Sequence, residues 1–225
     1  MNPIIVANWK MNPQTLKGAF ELTKAVRKGV RSANANVVLC PPYVFIPQLL
    51  AAKNMEIGAQ NCSWQEQGPL TGEVSPRQLK DLGCSYVILG HSERKKELGE
   101  TLAMVQRKVA AALTAKLRVI LCVESVAELR TLKKKVRSFK NVAVVYEPSF
   151  AISTQGGRRV APRHIAAMVS RLKKVAGRNV PVLYGGSVDA KSMRDIMTKG
   201  NVQGALVGAA SLKAKEFIAL VKNAL

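Results

Sequence analysis

The sequence predicts an α/β fold, a single-domain (β/α)8 barrel that spans residues 1–225. Eight short apolar runs recur at an average spacing of about 28 residues, which is close to the length of one strand–helix unit. Each run is continuously apolar rather than alternating, as in parallel strands that are buried on both faces. No linker rich in Pro, Gly or Ser divides the chain. An open, doubly wound sheet is the alternative, but it explains eight regular repeats less well.

The predicted strands occupy, in chain order, residues 3–9, 36–41, 55–60, 85–91, 117–124, 141–147, 180–186 and 204–208. Polar residues stand at the ends of several of these runs. Because the carboxyl ends of all barrel strands open onto one face, we expect the residues near positions 8, 91, 147, 187 and 208 to converge there. No linear motif of the chain brings them together.

The segments between the runs have helical patterns. In residues 126–139, apolar side chains recur every three or four positions and basic side chains fill most of the others, which predicts an amphipathic helix with a basic, solvated outer face. The apolar positions are Val126, Leu129, Leu132, Val136 and Phe139. Pro76 and Pro162 stand where a first helical turn would begin. The residues after His91, SERKKEL, predict another helix start.

The composition excludes several classes of protein. Hydrophobic residues make up 48% of the chain and charged residues 22%, which is typical of a globular protein and not of a disordered one. No apolar stretch approaches the length of a membrane span, and the first residues lack the pattern of a secretory signal, so we expect a cytoplasmic protein without membrane association. The four cysteines form no CxxC pair, which indicates reduced thiols rather than disulfides or a metal site.

The chain is strongly basic, and unevenly so. Its 35 Lys and Arg residues against 14 Asp and Glu give a net charge of +21. Residues 1–112 contribute 14 basic and 8 acidic residues, a net +6, and residues 113–225 contribute 21 and 6, a net +15. Such asymmetry is compatible with a nucleic-acid or anionic-lipid partner. We favour solvated helix faces, with nucleic-acid binding only as a nonspecific effect of charge.

Lys10, His91 and Glu147 are the strongest candidates for chemistry. The ammonium of Lys10 can bind a phosphate, although a lysine that snorkels past Trp9 to water has the same position in the sequence. The helix start after His91 disfavours a charged imidazole, so His91 either donates a hydrogen bond as a neutral ring or is structural. Burial at a strand end would raise the pKa of Glu147 and make it a stronger base, unless it forms a structural ion pair.

Three loops of small residues are candidate ligand-binding segments. The segment 148–157, PSFAISTQGG, either closes over a ligand beside Glu147 or is an ordinary surface loop. YGGSV (184–188) and VGAAS (207–211) follow the seventh and eighth strands, where backbone N–H groups and a helix N-terminus form the usual phosphate site of such barrels. A Gly-Gly pair alone is weak evidence, because tight turns also use it.

Seven motifs make the sequence resemble a known family. They occur in this order: NWKMN (8–12), QNC (60–62), TGEVSP (71–76), LGHSER (89–94), YEP (146–148), YGGSV (184–188) and GALVGAASL (204–212). In order and approximate spacing they are similar to the triosephosphate isomerase family, over essentially the whole chain. The combination of HSER with YEP about fifty residues later is highly specific to that family.

The resemblance implies a TIM barrel that interconverts dihydroxyacetone phosphate and D-glyceraldehyde 3-phosphate through an enediolate, without cofactor or metal. It also implies a role for each matching residue, since a glutamate base beside a neutral histidine is the family's established arrangement. Glu147 would be the base and His91 the electrophile that polarises the carbonyl. Lys10 and Asn8 would orient the substrate, with Lys10 offsetting its negative charge, and Glu93 would be a supporting carboxylate near Lys10.

By the same resemblance, the loops grip the phosphate and exclude water. Ser187, Gly208 and Ala209 would hold the phosphate, together with the backbone of Ser153 in a lid formed by residues 148–156. The sequence departs from the family here: Ser153 and Gln155 replace glycines, Phe150 replaces a tryptophan, and Ala209 stands where glycine is common. The fifth strand–helix unit is also short relative to the family: Glu147 follows Cys122 by only 25 residues, so roughly a dozen residues are missing there.

The family resemblance also implies a homodimer. The segment 61–76 is a long connection for a compact domain, and such connections are usually functional. In the family it inserts into a partner subunit. Thr71 and Glu73 match positions used in that contact, and Arg94 is a candidate to pair with Glu73 across it.

Two other functions compete with a triose-phosphate isomerase. One is a barrel that uses its basic surface to bind RNA or another polyanion. The presence of Lys10, His91 and Glu147 argues against it, because such a protein has no chemical need of them. The other is an isomerase of a different sugar phosphate, since a fold does not fix a function.

Overall fold

The computed structural model describes residues 2–51, 55–136, 138–151 and 159–225. In it, eight parallel strands form a closed barrel in sequential order, and the last strand pairs with the first. The strands are β1 Ile4–Asn8, β2 Asn36–Cys40, β3 Glu56–Ala59, β4 Tyr86–Leu89, β5 Arg118–Val123, β6 Val142–Tyr146, β7 Val182–Tyr184 and β8 Gly204–Val207. Each lies within a predicted run, so the predicted (β/α)8 barrel is confirmed.

Helices surround the barrel and connect its strands. In the described residues they are α1 Leu16–Val30, α2 Ile46–Leu50, α3 Pro76–Leu82, α4 Ser92–Glu97, α5 Leu102–Thr114, α6 Val126–Lys133, α7 Pro162–Ala176, α8 Ala190–Lys199 and α9 Ala214–Asn223. Short 3-10 turns cover Tyr43–Phe45, Ser149–Ala151 and Ala209–Leu212. Of the described helices, none has the length and apolarity needed to cross a bilayer.

The strands are apolar throughout because both of their faces are buried. On β1, Val6 belongs to the cluster that fills the barrel, whereas Ile5 and Ala7 pack against the surrounding helices. The barrel interior is filled by Val6, Val38, Cys40, Tyr86, Ile88, Ile120, Cys122, Ala143, Val145, Leu183 and Leu206. Successive side chains of a strand point to opposite faces, so both layers need apolar residues and the runs do not alternate.

The helix starts predicted from the sequence are confirmed. Pro76 and Pro162 are the first residues of α3 and α7. Ser75 caps α3 in a reciprocal arrangement, in which its hydroxyl accepts the Gln78 N–H and the Gln78 side chain accepts the Ser75 N–H. The SERKKEL segment forms α4, with His91 as its N-cap. These caps fix where each helix leaves the sheet.

The prediction of a helix over 126–139 is wrong at its C-terminal end, because α6 stops at Lys133. Eight residues then separate α6 from β6, and the chain needs them to return from the helix layer to the sheet. They do so through tight turns, in which the Val136 N–H donates to Lys133 O. Val136 and Phe139 are buried, so their spacing reflects core packing of the turns rather than a helix.

Candidate active site

A small cavity opens at the carboxyl ends of the strands, where the sequence predicts convergence. It is lined by Asn8, Lys10, His91, Glu147, Gly185, Gly186, Leu206 and Gly208. These residues come from five different strand–loop junctions, those of β1, β4, β6, β7 and β8. The barrel topology alone brings them together.

Lys10 is held in an unusual backbone conformation. Its φ of 54° lies in the left-handed region, which is uncommon for residues other than glycine. Two hydrogen bonds stabilise it: the Lys10 N–H donates to Asn8 Oδ1 at 3.1 Å, and Gln60 Nε2 donates to Lys10 O at 2.8 Å. The Lys10 ammonium makes a salt bridge with Glu93. A β-carbon at position 208 would lie 3.6 Å from Lys10 Cε, so the lysine stem runs beside Gly208.

The position of His91 fixes its tautomer. As the N-cap of α4, its Nδ1 accepts the N–H of Glu93 at 3.2 Å and therefore carries no proton. The ring proton is then on Nε2, which lies 3.0 Å from Glu147 Oε1. The positive end of the helix dipole also disfavours a charged imidazole. His91 is thus arranged as a neutral ring with one N–H directed into the cavity.

Glu147 is the carboxylate among the described residues that line the cavity, and only 2% of its surface is exposed. Its Oε2 accepts the Ser92 N–H at 2.9 Å, and its Oε1 contacts His91. Burial raises the pKa of Glu147 above its ordinary value, and this effect outweighs the opposing influence of His91, the Ser92 N–H and the Lys95 charge. A carboxylate with a raised pKa is a stronger base once ionised.

A charged cluster joins α4 to the segment that follows β5. Lys95 Nζ lies 3.2 Å from Glu124 Oε1 and 2.9 Å from Glu128 Oε1. The Glu128 carboxylate also accepts the backbone N–H of Glu124 at 2.8 Å. Lys95 is on α4 and Glu128 on α6, so this cluster joins the helix that presents His91 and Ser92 to the shortened fifth unit.

The two glycines after β7 allow the backbone to approach its neighbours closely. A β-carbon at Gly185 would lie 2.6 Å from Val145 Cγ1, and one at Gly186 would lie 2.2 Å from Tyr184 Oη. No side chain fits at either position. The next residue, Ser187, donates its N–H to Ala151 O at 2.7 Å. The loop after β7 is therefore bound to the turn that follows Glu147.

The structure brings together most of the site residues predicted from the sequence, but not all of them. Asn8, Lys10, His91, Glu147 and Gly208 line one cavity, and Glu93 reaches it through Lys10. Ser187 and Ala209 do not line that cavity, and Ala209 is an exposed residue that begins a 3-10 turn. Ser153 and Gln155 lie outside the described residues, as does most of the predicted lid.

The sequence analysis gave no role to three contributors to the site, although Gln60 and Ser92 are among the polar residues that follow the predicted strands. Ser92 acts through its backbone N–H on Glu147, which HSER as a motif does not reveal. Gln60 joins two strand ends by donating to both Lys10 O and Cys40 O. Lys95 lowers the pKa of Glu147 through its charge. The available signal for Gln60 was its position as a polar residue at the end of the third predicted strand.

The predicted interface segment is buried at both ends and exposed in its middle, at residues 66–69 and 71–73. Thr71 and Glu73 are both exposed, while Ser63 and Val74 close the base of the loop with a 2.8 Å hydrogen bond from the Ser63 N–H to Val74 O. Arg94 pairs within its own chain, with its Nε 3.3 Å from Glu100 Oε1.

Together, the fold and the cavity are those of a barrel enzyme, with a buried carboxylate beside a neutral histidine and a lysine at the carboxyl ends of the strands. Comparison with known proteins gives the family. The family model described as triosephosphate isomerase matches residues 3–224. The chain belongs to the triosephosphate isomerase family, and is an isomerase.

Individual relatives match this chain over nearly its full length. The chain is 35% identical to the triosephosphate isomerase of Alkaliphilus oremlandii, with 97% of this chain and 98% of the relative covered. It is 37% identical to that of Moorella thermoacetica, with 97% of each covered, and 38% identical to that of Shewanella frigidimarina, with 97% and 95% covered. These alignments extend over 245 to 251 positions, more than the chain's 225 residues, so the relatives carry residues that this chain lacks.

Proposed function

We propose that this protein interconverts dihydroxyacetone phosphate and D-glyceraldehyde 3-phosphate through an enediolate, with Glu147 as the base. One observation carries the proposal: the buried Glu147 carboxylate lies 3.0 Å from the Nε2 of a neutral His91, in a cavity that also holds Lys10. The relatives are triosephosphate isomerases, which supports the choice of substrate.

The proposed reaction consists of proton transfers alone. Glu147 takes a proton from the carbon next to the carbonyl, and the electron pair of that C–H bond becomes the double bond of the enediolate. The His91 Nε2–H donates a hydrogen bond to the carbonyl oxygen as negative charge develops there. His91 then moves the hydroxyl proton between the two oxygens, and Glu147 returns its proton to the neighbouring carbon. The atoms balance, and no step calls for a cofactor or metal.

Charge and backbone donors hold the substrate in this proposal. Lys10 offsets the negative charge of the phosphate and the enediolate, while Glu93 keeps its ammonium directed at the cavity. Asn8 fixes the backbone of Lys10. Gly208 and Ala209 would supply backbone N–H groups to the phosphate, and Ser153 would add one from the lid. Ser187, whose N–H donates to Ala151 O, would hold the phosphate through its hydroxyl.

The geometry requires the base to move. Both carboxylate oxygens of Glu147 have partners within the protein, the Ser92 N–H and His91 Nε2. A substrate whose oxygen accepts from His91 must displace Glu147 Oε1 from that contact. Once the substrate has displaced Glu147 Oε1 from His91, that oxygen is available to accept the proton from the substrate carbon.

We also propose a homodimer formed through residues 61–76, which include Thr71 and Glu73, with Arg94 of α4 also at the interface. Three large apolar side chains support this, since Met11, Val44 and Leu98 are 85%, 72% and 64% exposed. They follow β1, β2 and β4. The strands β2 and β4 pair with β3, at whose end the segment 61–76 begins, and β1 pairs with β2. Exposed apolar side chains around one sector of the rim are typical of a protein interface.

The chain organisation and location are part of the same proposal. Residues 1–225 form one domain, because pairing of β8 with β1 joins both halves of the chain in one sheet. The protein acts in the cytoplasm, where buried free thiols such as Cys40, Cys62, Cys84 and Cys122 stay reduced.

A coupled isomerase assay on purified protein tests the proposal. We expect turnover of triose phosphates by the wild type and a loss of at least 10³-fold in the Glu147→Gln variant, which cannot take up a proton. Glu21→Gln is a matched control, because Glu21 is exposed on α1 and away from the cavity. Turnover of pentose or hexose phosphates in place of trioses would instead support the competing sugar-phosphate isomerase. If the folded wild type is inactive on all of these sugar phosphates, the result would support the competing function, a barrel that binds polyanions.

A further inference from the structure

The proposed reaction does not account for a net charge of +21. Of the described residues that line the catalytic cavity, Lys10 is the one that carries a positive charge. Four other cations line a second concave surface: Lys24, Arg27, Lys28 and Arg31. We call this surface the basic groove. It is completed by Val30, Ala33, Ala35, Asn36, Val37, Met55 and Glu56.

The four cations form one line because of their spacing on α1. Residues at i, i+3, i+4 and i+7 lie on one face of a helix. From Lys24 to Arg31 the line is about 10 Å long, at 1.5 Å of rise per residue. The opposite face of α1 is buried through Ala19, Thr23 and Val26.

Three of the four cations of the basic groove have no counter-charge among the described carboxylates. Glu56 is the one described carboxylate that lines it, and its Oε1 accepts from Arg118 at 2.9 Å. Lys24, Lys28 and Arg31 are exposed and form no ion pair with a described carboxylate. Like charges one helical turn apart destabilise a helix, so the arrangement favours an anion outside the chain.

The basic groove lies at the end of the barrel opposite the catalytic cavity. Asn36 and Glu56 are the first residues of β2 and β3, whereas the catalytic cavity lies at the other end of the strands. A ligand here would therefore leave the reaction untouched, and the two functions can be tested separately.

We propose that the basic groove binds the phosphodiester backbone of single-stranded nucleic acid. Cations one helical turn apart match successive phosphates of one extended strand, and a single line of them does not span two strands of a duplex. The guanidinium groups of Arg27 and Arg31 suit phosphate oxygens, to which they can donate in pairs. Among the described residues that line the groove, none is an aromatic side chain on which a base could stack, so the contacts are to phosphates and binding does not depend on base identity.

Fluorescence anisotropy with a labelled 20-nucleotide oligouridine, titrated at several KCl concentrations, tests this proposal. The logarithm of the binding constant falls with that of salt by about 0.7 for each phosphate neutralised. The three exposed cations, Lys24, Lys28 and Arg31, predict a slope of about −2.1. In the variant Lys24→Gln/Lys28→Gln/Arg31→Gln we expect a slope shallower by about 2, binding at least tenfold weaker at low salt, and unchanged isomerase turnover.

The matched control is Lys134→Gln/Lys135→Gln/Lys174→Gln, which removes the same charge from exposed positions on other elements. Binding that falls equally in both variants would show a diffuse effect of charge and overturn the proposal. So would competition by polyglutamate at the same charge concentration, which would indicate an acidic protein segment instead. Tighter binding of a duplex than of the single strand would also contradict it. Isomerase activity of the same preparations reports separately on the catalytic proposal.

Discussion

Glu147 Oε1 and His91 Nε2 are 3.0 Å apart, so the proposed base and electrophile act on neighbouring atoms of a small substrate. Shortening residue 147 by one methylene therefore withdraws the carboxylate from the carbon that it must deprotonate. We expect Glu147→Asp to lower kcat by roughly 10² or more through misplacement, with folding unchanged. Steady-state kinetics beside circular dichroism check this, and wild-type turnover in the variant would reject Glu147 as the base.

Burial of Glu147 also predicts a pH dependence. Its pKa is raised above the ordinary value of 4.5, mainly by desolvation, and only the ionised form can accept a proton. Activity is therefore present above the raised pKa and falls about tenfold for each pH unit below it. We expect the acid limb of kcat/KM to lie above pH 4.5. The substrate phosphate also titrates, near pH 6, so the limb must be assigned with a variant that alters Glu147 alone.

A substitution of Lys95, on α4, alters the pKa of Glu147 without altering that of the substrate phosphate. The charge of Lys95 lowers the pKa of Glu147, and its ammonium joins α4 to the Glu124 and Glu128 carboxylates. In Lys95→Met, we expect the acid limb that belongs to Glu147 to move to higher pH, while the limb of the substrate phosphate stays in place. Lys95→Arg keeps the charge and should restore the wild-type profile. Identical profiles for Lys95→Met and the wild type would show that the cluster only stabilises the fold.

The elements differ in how far the sequence predicts them. The strand runs and the prolines of α3 and α7 encode local preferences, so their positions are correctly predicted. The end of α6 depends on how far the chain must travel to reach β6, which periodicity does not contain; Val136 and Phe139 keep helical spacing although they lie in turns. The Lys95 cluster and the Ser92–Glu147 hydrogen bond join residues 33 and 55 positions apart, and only the folded barrel defines them.

At the scale of the whole molecule, the segment 61–76 is the element proposed to join two copies of the chain. Deleting residues 65–70 removes most of its exposed part and leaves the Ser63–Val74 hydrogen bond at its base. We expect the wild type to be a dimer by light scattering and the deletion variant to be a monomer with lower activity. A variant that stays dimeric would place the interface elsewhere on the surface.

The distribution of charge could be counted from the sequence but not located. The excess of +15 in the second half predicts a basic surface there, yet the line of cations that shares one groove lies on α1, in the half with +6. Concentration of charge depends on which helix face is solvated and on what the neighbouring loops leave open. Those are properties of the assembled barrel.

The whole-molecule charge leads to a final prediction about encounter with substrate. A net charge of +21 surrounds the protein with positive potential, and the proposed substrate is an anion, so the field should raise its association rate. We expect kcat/KM to fall as inert salt rises from about 0.01 to about 0.15 M, because the Debye length shrinks from about 30 to about 8 Å. Turnover at saturation should change much less, since it depends on Lys10 and on groups within the cavity. The salt must have a weakly binding anion, because sulfate or phosphate would compete for the phosphate site. Neutralising Lys133, Lys134 and Lys135 should reduce the salt effect only slightly, as each is one of many distant charges. If kcat/KM stays constant across that range, the charge does not steer substrate, and its role lies with polyanions at surfaces such as the basic groove.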